Sequence, residues 1–127
     1  MADVNRGNRP LSPHLQVYRP QLTSMSSILV RITGIATLGT AVLMVAWLFA
    51  AAASPAAFDT MNGLLTSGLG KLVMLLATWA AFYHMLGRLR HVIWDFGYAL
   101  DVETSEKMAM GMIGLATILT LLVAIVF

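Results

Sequence analysis

Cysteine is absent from all 127 residues, which excludes disulfides, thiolate-bound iron–sulfur clusters, a cysteine nucleophile and covalent haem attachment within this chain. Any redox centre must therefore be held non-covalently. Charge is scarce as well: 11% of residues are charged and 58% are hydrophobic, where an average soluble domain is about one quarter charged. This deficit points to an all-α membrane protein of a single domain rather than to a soluble core. The formal net charge of +2, with no basic tract, gives no footing for nucleic-acid binding. The nine methionines fit irregular apolar packing and carry little functional information by themselves.

Proline is confined to Pro10, Pro13, Pro20 and Pro55. The first three break the polar stretch 1–27, which reads as a non-helical cytoplasmic segment, with Thr23 or Ser24 placed to cap a helix starting just before Ile28. The remainder, 28–127, reads as a transmembrane domain with spans at about 28–53, 69–94 and 108–127. Between Ile32 and Ala53 no residue is charged, and ~22 residues of helix extend ~33 Å, enough to cross the hydrocarbon core. The small residues Gly34, Ala36, Gly39, Thr40 and Ala41 suit close helix packing in lipid. A signal-peptide reading of Ala50–Ala53 fails because the apolar stretch before it is too long and starts too late.

Ser54-Pro55 and the polar region 59–70, where Gly63, Gly68 and Gly70 weaken helix, read as the first loop, and 101–107 reads as a charged connection. Arg6, Arg9, Arg19 and Arg31 flank the first span, Arg88, Arg90 and Lys107 lie between the second and third, and Lys71 alone occupies the first loop. The positive-inside rule puts the N-terminus and the second loop in the cytoplasm, and three spans leave the C-terminus on the far side of the membrane.

The residues able to do chemistry gather at the end of the second span. His84, Arg88, His91 and Asp95 share one helical face, each within about 40° of His84. His84 lies about one turn deeper than Arg88, where ionisable groups are costly. It is either a histidine bonded to a neighbouring helix or the axial ligand of a haem, and the bare side left by Ala77, Ala80, Ala81 and Gly87 suits the flat macrocycle. His91 is ~10.5 Å further along the same face, so the two cannot ligate opposite sides of one iron. A second histidine ligand would come from another polypeptide or another copy. Arg88 stands where a propionate would reach, whereas Arg90 points off the stripe and reads as solvated. On the first span Ser24, Ser27 and Arg31 share a face; they are either a cap with a snorkelling arginine or a niche for a quinone carbonyl.

Two motifs carry a family resemblance. Arg9-Pro10-Leu11-Ser12-Pro13-His14-Leu15 with Ser26-Ser27-Ile28-Leu29-Val30-Arg31-Ile32-Thr33-Gly34, and Tyr83-His84 with Leu89-Arg90-His91, Asp95 and Phe96-Gly97-Tyr98, resemble the signatures of the cytochrome b membrane-anchor subunit of succinate dehydrogenase, respiratory complex II. The resemblance implies that His84 is an axial ligand of haem b, shared with a second three-helix anchor subunit that completes the helix bundle. It implies that Ser27 and Arg31 help form the ubiquinone site beside an iron–sulfur subunit, while a flavoprotein oxidises succinate. Arg31, Arg88 and His91 become candidate partners of the haem propionates. The chain itself would be a non-catalytic subunit of the enzyme complex. Two positions depart from the pattern: Val30 stands where histidine is frequent, and Arg88 where a small residue is usual, with Gly87 displaced by one. The competing readings are the anchor of a quinol:fumarate reductase and a haem-free helical anchor or transporter component.

Overall fold

The computed structural model describes His14 and residues 17–126, so the first half of the N-terminal motif, Arg9–Pro13 with Leu15, lies outside the described residues, as do Arg6 and Phe127. Four helices follow one another: α1 (Leu22–Ala53), α2 (Pro55–Thr66), α3 (Gly68–Asp95) and α4 (Val102–Val126). There is no strand among the described residues. The three long helices are each apolar and long enough to cross a membrane, and α2 is not. The all-α, three-span expectation therefore holds.

Helix starts differ from the sequence expectation in three places, and each has a local cause. α1 begins at Leu22, inside the segment expected to be non-helical, because Ser24 closes its first turn. The Ser24 hydroxyl donates to the Gln21 carbonyl at 2.9 Å and accepts from the Gln21 amide at 3.2 Å and the Tyr18 hydroxyl at 3.0 Å. Gln21, not Thr23 or Ser24, is the N-cap residue. The expected first loop is largely the helix α2. Ser54 accepts from the Ala57 amide at 3.1 Å, Pro55 sits at the first helical position, and Phe58 packs on Trp47 with ring centroids 5.9 Å apart. Capping and packing together outweigh the ~1 kcal/mol that Gly63 costs a helix. The expected charged connection is mostly the first turns of α4. Asp101 accepts the Thr104 amide at 2.8 Å, and Glu103 pairs with Lys107 at 2.6 Å one turn on.

Two glycines are required by the turns. Ser67 caps α3 through the Gly70 amide, and a Cβ on Gly70 would lie 2.2 Å from the Leu64 carbonyl oxygen, so only glycine lets α3 leave α2 so closely. Gly97, at φ +80°, reverses the chain after α3 and donates to Trp94 O at 2.8 Å.

α3 is the centre of the bundle and packs against both α1 and α4. Its buried stripe is Ala80, Tyr83, Gly87 and Arg90; α1 meets it with Ser26, Val30 and Thr33, and α4 with Ser105, Ala109, Met112, Ala116 and Thr120. Small residues at spacings of three and four let these backbones approach, which is how helices associate where lipid competes for every apolar contact. The threonines inside this apolar frame are satisfied locally: Thr33, Thr37, Thr78 and Thr120 each bond a carbonyl four residues back, and the Trp79 indole donates to Thr117 at 3.0 Å. The outward faces stay apolar and exposed, Ile35 and Phe49 most of all on α1.

Candidate functional site: a histidine wall along the seam of α1 and α3

α1 and α3 run antiparallel, so residues pair by height along their seam. His84 meets Gly34, Gly87 meets Val30, and Arg90 meets Ser26. One residue along from the buried stripe, each helix presents a second stripe toward the same open side: Ser27, Arg31 and Gly34 on α1, and His84, Arg88 and His91 on α3. Arg31 and Arg88 are exposed there, and Ser27, His84 and His91 are half-buried. The sequence-predicted site residues Ser27, Arg31, His84, Arg88 and His91 are thus brought to one wall, whereas Asp95 lies beyond them as the last residue of α3.

His84 is the best determined of them. Its Nδ1 lies 2.9 Å from the Val30 carbonyl oxygen. A carbonyl only accepts, so Nδ1 carries the proton and Nε2 is left with its lone pair. Gly34 makes this position possible: a Cβ there would sit 2.7 Å from His84 Cε1. The two readings of His84 are therefore compatible, since one nitrogen is bonded to the neighbouring helix and the other has no partner among the described residues. A backbone carbonyl holding the distal nitrogen is the usual support of a metal-bound histidine, raising its basicity and fixing its plane.

His91 repeats the device with its own helix, its Nδ1 donating to Gly87 O at 2.7 Å while its ring meets the edge of Trp94 at 5.2 Å. Arg88, Arg31 and Ser27 make no side-chain hydrogen bond to another described residue, and Arg31 and Arg88 are exposed. Ser24 does not belong to the niche, because the helix start consumes its hydroxyl.

The departures at positions 30 and 87–88 are linked by packing. A Cβ on Gly87 would fall 2.3 Å from Val30 Cγ2, so the branched Val30 and the displaced glycine fit one another. Placing glycine at 87 leaves 88 on the exposed face beside His84.

Arg90 is a correction. It was expected at the solvated helix end, yet it is 1% exposed, donates from Nη1 to Ser26 Oγ at 2.9 Å and lies 4.5 Å over the Trp94 ring. The signal that locates it is the spacing Ala80, Tyr83, Gly87, Arg90, which puts it on the packed stripe rather than the open one.

What the fold and wall define is a multi-pass helical membrane subunit with a tautomer-fixed histidine, one nitrogen of which is open to a metal. Comparison with known proteins is more particular. The model of the succinate dehydrogenase/fumarate reductase transmembrane subunit family matches residues 5–123, and the chain belongs to that family. It is 47% identical over 127 residues to the succinate dehydrogenase cytochrome b556 subunit of Paracoccus denitrificans, covering 100% of this chain and 98% of that one. It is 37% identical to the cytochrome b560 subunit of Reclinomonas americana, over 94% of this chain and 87% of the relative. A cytochrome b556 subunit of Rickettsia conorii is 34% identical over 75% and 73% of the two chains.

Proposed function

We propose that this chain is the membrane anchor and cytochrome b subunit of a succinate:quinone oxidoreductase, holding one side of a b-type haem through His84 and forming part of the quinone-reducing site with Ser27 and Arg31. The observation that carries the haem reading is the Nδ1–Val30 bond, which leaves Nε2 as the only ligating atom of His84. The names of the relatives, cytochrome b556 and b560 subunits of succinate dehydrogenase, support it.

When bound, haem supplies one-electron redox chemistry. The chain's own residues do the rest. His84 ligates, and Gly34 keeps the ring's approach clear. Arg31, Arg88 and His91 stand within two turns of His84 on the open side, where guanidinium and imidazole N–H groups would meet propionate carboxylates. Ser27 and Arg31, one turn apart at the start of α1, donate hydrogen bonds to a quinone carbonyl. His91 is too far along α3 to hold the same metal as His84, so a second histidine ligand would come from a second three-helix anchor subunit, which would close the wall.

Orientation follows from charge. Arg19, Arg31, Arg88, Arg90 and Lys107 cluster at the end where α1 starts and α3 stops, and Lys71 stands at the other. That end faces the bacterial cytoplasm, where the iron–sulfur and flavoprotein subunits dock, and the C-terminus is periplasmic.

Reduced-minus-oxidised absorption of the purified complex tests this reading. Wild type is expected to show a b-type band that His84→Ala abolishes, with flavoprotein and iron–sulfur subunits co-purifying. A band that persists in His84→Ala removes His84 as the ligand.

A further inference from the structure

Arg90 is the one charged side chain buried among the described residues, and nothing in the proposed chemistry uses it. Its Nε and Nη2 have no partner among those residues, so the guanidinium is held by one hydrogen bond and the face of Trp94. An apolar residue of the same volume would serve packing better, because an under-satisfied buried charge is costly. A buried polar group kept at such a cost commonly fixes register.

The side-chain hydrogen bonds of both Arg90 and Tyr83 cross to the same residue of α1. The Arg90 guanidinium donates to Ser26 Oγ, Ser26 Oγ donates on to Thr23 O at 2.9 Å, and the Tyr83 hydroxyl donates to Ser26 O at 3.4 Å. Ser26 is therefore gripped by side chain and backbone at once. One turn deeper on α1 is Val30, whose carbonyl orients His84; one residue along from each are Ser27 and Arg31. Apolar packing in lipid resists sliding only weakly, yet a one-residue slip moves α1 by ~1.5 Å and turns it by ~100°, which would carry the Val30 carbonyl away from Nδ1.

We infer that Arg90 is a positioning residue: by clamping Ser26 it sets the register of α1 against α3, and with it the plane of His84 and the placement of the Ser27–Arg31 pair toward the quinone. The inference rests on the haem and quinone reading above.

The test uses the assembled complex carrying Ser26→Ala, Arg90→Met, Arg90→Lys or the Ser26→Ala/Arg90→Met pair. Ser26→Ala and Arg90→Met are expected to keep the b-type band, to shift the low-spin ferric haem resonance that reports the histidine plane, and to raise KM for a short-chain ubiquinone about tenfold. Succinate oxidation by a dye that bypasses the quinone should not change. The double variant should be no worse than either single one, and Arg90→Lys, which keeps a donor within reach of Ser26, should recover part of the loss. Wild-type resonance and KM in Ser26→Ala, or additive losses in the double variant, would overturn the inference, and if Arg90→Met does not assemble Ser26→Ala decides alone. Failure of the underlying reading looks different, since it shows as a band surviving His84→Ala.

Discussion

On the buried side of the α1–α3 seam, Arg90 lies against Ser26 and Trp94 with Tyr83 and Gly87 beside it. On the open side, one residue along in each helix, stand Ser27, Arg31, His84, Arg88 and His91. The inventories are nearly alike, each with serine, arginine and ring-bearing side chains. Their satisfaction differs. The buried set bonds across the seam to α1, whereas the open set bonds only through its Nδ1 atoms and leaves Nε2, guanidinium and hydroxyl groups unclaimed by the described residues. A rotation of 100° thus separates groups that hold the helices together from groups available to a ligand. Two points join the sides: the Val30 carbonyl, which belongs to the packed stripe and orients the open one, and Gly34.

Gly34 is where the contrast breaks most easily. Replacing it with valine drives side-chain atoms into the His84 ring, which a single Cβ would already approach to 2.7 Å. The ring must turn away and Nδ1 loses Val30 O. Haem content per complex, measured by the pyridine haemochrome method, is expected to fall ten- to hundredfold, roughly the cost of losing a metal ligand's supporting bond. Gly39, further along α1 with open space around it, is the control, and Gly39→Ala should bind haem normally.

How much of this was legible beforehand depended on the length scale of the signal. Long uncharged runs and helical periodicity made the three-span, all-α architecture readable, because lipid leaves few alternatives for an apolar segment. The family was readable from two spaced motifs. The set Ser27, Arg31, His84, Arg88 and His91 was readable as shared faces, but their convergence on one wall needed the antiparallel pairing of Gly34 with His84. Helix starts were not readable, since the Ser24, Ser54 and Asp101 contacts that set them depend on single hydrogen bonds. The burial of Arg90 is hidden for a different reason: charge near a helix end suggests solvent, and only partners on α1 reveal that the end is packed.

Arg88 sharpens the open side. It stands one turn from His84 toward the charged end, exposed, and its position follows from glycine at 87 accommodating Val30. A cation there favours the reduced haem, whose net charge is more negative. Arg88→Ala is expected to retain haem and to lower its midpoint potential by about 10–40 mV, the one-electron equivalent of an exposed ion pair. Redox titration of the b-type band measures it, and an unchanged potential with unchanged haem content would show that Arg88 contacts no propionate.

The buried side also depends on where α4 begins, because Met112 and Ala116 pack into the cluster with Val30 and Tyr83. That start is set by Asp101, whose carboxylate accepts the Thr104 amide at 2.8 Å. The same bond holds its carboxyl below the usual carboxylate range, with Lys107 adding a smaller effect in the same direction. A group whose folded value is depressed contributes stability above its unfolded pKa of ~3.9 and loses it as pH falls through the folded value. Asp101 is fully exposed, so the effect is local: below about pH 4 the first turn of α4 should fray while the bundle persists. Hydrogen exchange at the Thr104 amide, corrected for the intrinsic pH dependence, should accelerate over that interval in wild type. In Asp101→Asn, whose side chain caps without titrating, the corrected rate should stay flat; equal acid sensitivity in both proteins would remove Asp101 as the group that sets the start of α4.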